Sequence, residues 1–179
     1  MVNTFEGLLG GLARDGIRFT LVGGLAVSLN GFIRTTEDMD ILVDDESANL
    51  DRLLRSLRDF GQGYATELTL ADFVDEEGAI RIREAFDLDI FVRMRGLKYR
   101  DLLPYVRIHT MNNGMEIPYL GIEGLVLLKG SSSREKDQID VAALRAMDGT
   151  VRESVTKNFS LDSLFTTQPP GTEPDSPLH

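Results

Sequence analysis

The chain has 179 residues, 42% hydrophobic and 27% charged, which suits a single globular domain with a core of its own. It has no cysteine and only two histidines, so disulfide scaffolds, thiolate chemistry and sulfur-ligated metals are excluded. Its formal charge is −10, and −7 remains when the acidic segment 158–179 is set aside, which excludes a general nucleic-acid binder. A nucleotide delivered with magnesium, or an RNA held on one local basic patch, stays compatible with that balance. The opening MVNTFEGLLG has neither the basic region nor the apolar run of a signal peptide. No stretch is long and apolar enough to cross a membrane, so a cytoplasmic protein is expected.

In chain order, Phe5, Leu8, Leu9 and Leu12 predict a short helix over 3–14. A turn at Asp15-Gly16 leads into a strand over 17–23, and a helix follows from about Leu25 to Asn30, stopped by Gly31. DMDILVD (38–44) alternates as a strand. The segment 46–61 reads as a helix with Leu50, Leu53, Leu54 and Leu57 inward and Gly61 as its C-cap. Thr69 and Asp72 have the spacing of a capping box. Strands are expected at 78–84 and 86–92, and 95–105 reads as loop plus a helical turn broken by Pro104. A hairpin over 106–120 turns at Asn113-Gly114, and helices at 122–130 and 134–147 flank three serines. The fold class expected is α/β (α+β): a small mixed sheet with flanking helices, in one domain over 1–157. From residue 158 the composition is that of a disordered tail.

Side chains two apart on a strand share a face, so Asp38 and Asp40 point together. Two carboxylates so placed form a cradle for a hard divalent cation such as magnesium, which takes oxygen ligands and substrate phosphates. A third carboxylate should come from FDLDIF, where Asp87 and Asp89 again share one face. Two metals there could flank a phosphorus atom and stabilise attacking and leaving oxygens. Gly23-Gly24, between a strand and a helix, would let backbone approach a phosphate, and Arg34 is a candidate phosphate clamp.

The order of these features resembles the DNA polymerase beta nucleotidyltransferase superfamily. Val22-Gly23-Gly24 is followed, after thirteen residues, by Asp38-Met39-Asp40-Ile41. GGLAVSLNGFIRTTEDMDILV is similar, more closely, to the minimal bacterial enzymes grouped with AbiEii-type abortive-infection toxins, through Arg34, Thr36, Asp38 and Asp40. A later segment, 117–144, resembles theirs through Lys129, Lys136, Asp137 and Asp140. The resemblance covers roughly residues 17–147 and implies a nucleotidyltransferase fold. It further implies transfer of a nucleoside monophosphate from a nucleoside triphosphate to a hydroxyl, with two magnesium ions. Asp38 and Asp40 would hold the metals, with Asp89 as third carboxylate by its distance from RGL (95–97) and Asp87 as the second choice. Lys129 would face the triphosphate or order the carboxylates, and Gly23, Gly24, Arg34, Thr36 and Lys136 would meet the nucleotide.

The acceptor implied is an RNA, such as a tRNA end, or a protein, and a toxin of this kind would have a cognate antitoxin as partner. A small-molecule acceptor, as in the related aminoglycoside-modifying group, is the alternative. A catalytically silent regulatory protein of the same fold is another. Arg93, Arg95, Lys98 and Arg100, with Tyr99 among them, read either as a basic patch on which an RNA backbone would lie or as an ordinary charged surface balancing an acidic body. Lys136-Asp137 and Asp140 could equally be an i,i+4 pair on a helix surface. His109 and His179 are read as bystanders.

Overall fold

The structure, a computed structural model, describes residues 4–148. Helix α1 (Phe5–Arg14) begins where Thr4 Oγ1 accepts a hydrogen bond from the Gly7 N–H at 3.1 Å, and it buries Phe5, Leu8, Leu9 and Leu12. Strand β1 is shorter than expected, Phe19–Leu21, because Gly23 already turns the chain into helix α2 (Gly23–Leu29). Strand β2 (Asp38–Val43) leads to helix α3 (Ser47–Ser56). The long helix expected over 46–61 tightens into a 3₁₀ turn at Leu57–Asp59 before Gly61. A later 3₁₀ turn, Leu70–Asp72, carries the expected capping box, with the Thr69 N–H donating to Asp72 Oδ2 at 2.8 Å.

Strands β3 (Ile80–Arg83) and β4 (Asp87–Phe91) come next, then one turn of helix, α4 (Tyr99–Leu102), and a 3₁₀ turn, Leu103–Tyr105, holding Pro104. The hairpin forms as strands β5 (Val106–Thr110) and β6 (Glu116–Leu120). Helices α5 (Ile122–Lys129) and α6 (Glu135–Asp148) close the described chain. The domain boundary and tail expected around 158, and His179 with them, lie outside the described residues. No helix among the described residues is long and apolar enough to cross a membrane.

All six strands form one mixed sheet in the order β3-β4-β2-β1-β6-β5. The fold is therefore mixed α/β, a six-stranded sheet flanked by helices. β4 runs parallel to β2, and β3 antiparallel to β4 at the edge. Parity is kept across all three: Met39, Ile41, Leu88 and Ile90 are fully buried and Ile82 nearly so, while Asp38, Asp40, Asp87, Asp89, Arg81 and Arg83 take the other face. Helix α2 packs on β2 and β6 and against α5, which in turn packs on α6. The sheet is apolar on one face, and its polar face, at one end of β2, β4 and β3, opens into a cleft that α2, α5 and α6 help to line.

The far end of β2 is locked by a side chain with no surface. Asn49, fully buried in the first turn of α3, accepts from the Arg18 N–H at 2.8 Å. It also donates to the carbonyls of Arg18 at 3.0 Å and Asp44 at 2.9 Å. One amide thus serves three backbone groups, one of which, the Arg18 carbonyl, also accepts from the Asp44 N–H at 3.1 Å. Asp44, also buried, pairs with Arg18 at 2.7 Å and Arg100 at 3.4 Å. Burial alone would raise its carboxyl, but the bonds from Arg18 and Arg100 outweigh that and hold it below the usual carboxylate range. Asn49→Ala is expected to lower unfolding stability by about 1–3 kcal/mol, the cost of buried polar groups left unpaired. A urea titration checks this, with an unchanged slope expected.

Candidate active site

In the β2–β4 register Asp38 lies beside Asp87 and Asp40 beside Asp89. On the other flank of β4, Arg83 lies beside Asp87 and Arg81 beside Asp89. The sheet therefore presents two rows, Arg81–Asp89–Asp40 and Arg83–Asp87–Asp38, on one face. Within this array, carboxylate oxygens of Asp38, Asp40 and Asp89 all lie within 4.8 Å of one another. Asp87 does not join them. It is drawn to the edge by Arg81 at 3.6 Å and Arg83 at 3.7 Å. The structure thus groups the first choice of third carboxylate with Asp38 and Asp40, and sets the second choice apart.

The glycines owe their place to this cluster. Gly23 has φ +60°, and a Cβ there would come within 1.9 Å of Asp40 Oδ2. A Cβ on Gly24 would come within 2.8 Å of both Arg34 Nη2 and Thr36 Oγ1. Buried Thr36 turns its hydroxyl to Asp38, donating to Oδ1 at 2.9 Å and lying 3.1 Å from the Asp38 carbonyl. Its observed contact is with a carboxylate of the cluster, which it orients.

Asp40 carries the electrostatic burden. Desolvation, then the charges of Asp38 and Asp89, push its carboxyl up to about 7, with Lys129 and Lys136 pulling the other way. Asp89 is almost wholly buried and gripped by a bidentate fork from Arg81, Nε to Oδ1 at 2.7 Å and Nη2 to Oδ2 at 2.6 Å. That contact raises the Arg81 guanidinium above its ordinary value. Sequence reading missed Arg81, although Arg-x-Arg facing Asp-x-Asp across a hairpin is a legible pattern.

A second network backs the first. Asp140 of α6 is buried and binds two cations, Arg34 Nε at 3.2 Å and Lys129 Nζ at 2.9 Å. Lys129 also pairs with Asp137, whose other oxygen accepts from Ser132 Oγ at 2.6 Å. Burial works against Asp137, yet Lys129 and Ser132 keep its carboxyl below the usual range. Asp137 and Asp140 therefore converge on Lys129 across a helix–helix contact, and the surface pair with Lys136 considered from sequence does not form.

Both networks line one cleft of about 670 Å³, whose walls include Gly23, Gly24, Arg34, Asp38, Asp40, Asp89 and Lys129. Arg95, Arg134 and Lys136 also line it, and none makes an ion pair with a described residue. Arg95 sits at φ 52°, in a turn where Glu77 accepts from the N–H groups of Arg95 at 2.9 Å and Gly96 at 2.6 Å. The other cations of the basic segment do not form an open patch. Arg93 pairs with Asp75 at 2.8 Å, Lys98 with Asp45 and Asp75 at 2.7 Å each, and Arg100 with Asp44 and Glu46. His109 lies on β5, at the opposite edge of the sheet from β3.

No family model matches the sequence, and no curated protein matches it. Among solved structures, it is similar to a Thermotoga maritima protein described as a proposed nucleotidyltransferase. The TM-score is 0.43 and the identity 17%, over 79% of this chain and 88% of that one.

An acid whose folded-state pKa is raised holds its proton longer than the unfolded chain does. The contribution of Asp40 to the stability of the metal-free protein is therefore lost as pH rises from about 4 through about 7. Asp40→Asn removes this penalty. In metal-free buffer the variant should melt several degrees above wild type near pH ~8 and level with it near pH ~4, read by calorimetry across that range.

Proposed function

We propose that the chain is a metal-dependent nucleotidyltransferase that moves a nucleoside monophosphate from a nucleoside triphosphate to a hydroxyl and releases pyrophosphate. The observation that carries this reading is the convergence of Asp38, Asp40 and Asp89 within 4.8 Å, in a cleft that also holds three cations without ion-pair partners. The donor set fits magnesium: three hard carboxylates, one of which, Asp40, is lifted by burial and then by the charges of Asp38 and Asp89, more than Lys129 and Lys136 offset. Asp38, Asp40 and Asp89 would hold the metal. Bound there, it would supply positive charge against the phosphates and polarise the oxygens that react.

The chain's own residues do the rest. Thr36 fixes the Asp38 carboxylate, and Gly23 leaves the space that Asp40 fills. Arg95, Arg134 and Lys136 are the cations free to meet the triphosphate. Arg34 and Lys129, tied to Asp140, contribute a fixed positive field rather than mobile clamps. The acceptor we favour is a hydroxyl of RNA or protein. Because Arg93, Lys98 and Arg100 are already neutralised, an RNA acceptor would be gripped at Arg95 and the cleft rim. A toxin-like role with a cognate antitoxin follows from the sequence resemblance.

The test incubates the full chain with magnesium and each α-labelled nucleoside triphosphate, together with total RNA, a protein extract and small solutes. Wild type is expected to label RNA or protein. Asp38→Asn should lower transfer about 100-fold or more, the loss that goes with a misplaced metal. Label confined to small solutes would move the acceptor to a small molecule. No label anywhere, with no thermal shift from magnesium plus any triphosphate, would overturn the reading.

A further inference from the structure

Arg81 holds both oxygens of Asp89, and Asp89 is the member of the carboxylate cluster that a cation cannot reach without meeting a guanidinium. Resting on the metal-site reading above, we propose that Arg81 is a resident counter-ion of Asp89, and that Asp87 is the place to which its guanidinium retreats when a divalent cation occupies the cluster. Arg81 acts through Asp89 and is a positioning residue.

Three features of the array support this exchange. Asp89 is fixed, almost wholly buried on β4 with β2 and β3 on either side, whereas the Arg81 side chain is 44% exposed on the edge strand. The mobile partner is thus the arginine. Asp87 lies two residues before Asp89 on the same face, and its Oδ2 is already 3.6 Å from Arg81 Nη1. A guanidinium that leaves Asp89 therefore still has an acid beside it, which lowers the cost of the shift. Finally, a cation among Asp38, Asp40 and Asp89 repels a guanidinium bonded to the same carboxylate, which biases the arginine toward Asp87. The duplicated acid in FDLDIF then has two separate duties: Asp89 faces the cation and Asp87 receives the displaced arginine.

The experiment measures Mn²⁺ binding to the full chain without nucleotide, by calorimetry and by the paramagnetic signal of free Mn²⁺. Arg81→Gln shortens the side chain, keeps an amide donor and removes the charge, and should bind Mn²⁺ about tenfold tighter than wild type. Asp87→Asn removes the retreat, holds Arg81 on Asp89, and should bind more weakly than wild type. Asp38→Asn identifies the site by abolishing the binding in each background. Arg81→Gln binding no tighter than wild type would overturn the inference and leave the metal reading standing, with Arg81 a fixed orienting partner. The same holds if Asp87→Asn leaves the affinity unchanged. No Mn²⁺ binding by wild type or Arg81→Gln, or binding that survives Asp38→Asn, would overturn the metal reading and the inference together.

Discussion

Asp38, Asp40 and Asp89 repel one another at separations under 4.8 Å, on a sheet face whose reverse is fully apolar. Such a group persists only if something else over-determines it. The overdetermination is visible in the packing. Met39, Ile41, Leu88 and Ile90 bury themselves completely on the opposite face, so parity leaves the acids no other direction. Hydrophobic burial along β2 and β4 holds the charges together, and the surrounding cations reduce what that costs.

Those cations divide into two kinds. Arg81, Lys129, Arg34, Arg18, Arg93, Lys98 and Arg100 are each tied to a named acid, several of them bridging strands or helices far apart in sequence. Arg95, Arg134 and Lys136 line the cleft without such a partner. For recognition of an anion the distinction matters more than the total. A paired arginine must break one ion pair to make another, whereas an unpaired one exchanges only water. An acidic chain can therefore still accept a polyanion, provided the contact is confined to this cleft.

Parity made the shared face of Asp38 and Asp40 readable in the sequence, and the same parity put Asp87 beside Asp89. It could not choose between those two, because the choice lies with Arg81 and Arg83, which reach β4 from its other flank. Strand order is a property of long-range pairing, and alternation within a strand carries no record of its neighbour. For the same reason VRMRGLKYR looked like a basic patch: its neutralising acids, Asp44, Asp45, Glu46 and Asp75, arrive from segments up to 56 residues away. Asn49 was invisible because one amide in a leucine-rich helix resembles any surface asparagine until the backbone groups it serves are known. Helices α1, α5 and α6 were legible from their own periodicity and breakers, whereas α3 ends early where Leu57–Asp59 tightens into the 3₁₀ turn.

The glycine pair shows how a local motif can have a tertiary cause. Helix α2 has only seven residues, and its N-terminal turn has little length from which to build a dipole. The contact with Asp40 constrains Gly23 far more: a Cβ would stand 1.9 Å from Oδ2, and φ +60° would penalise it again. Gly24 meets Arg34 and Thr36 in the same way, and Thr36 orients Asp38. The thirteen residues between the glycines and Asp38 are the rest of α2 and the loop that returns Arg34 and Thr36 over Gly24. The two halves of the motif are thus one steric contact seen twice along the chain. A larger residue at Gly23 would displace Asp40 from the cluster even with every acid still present.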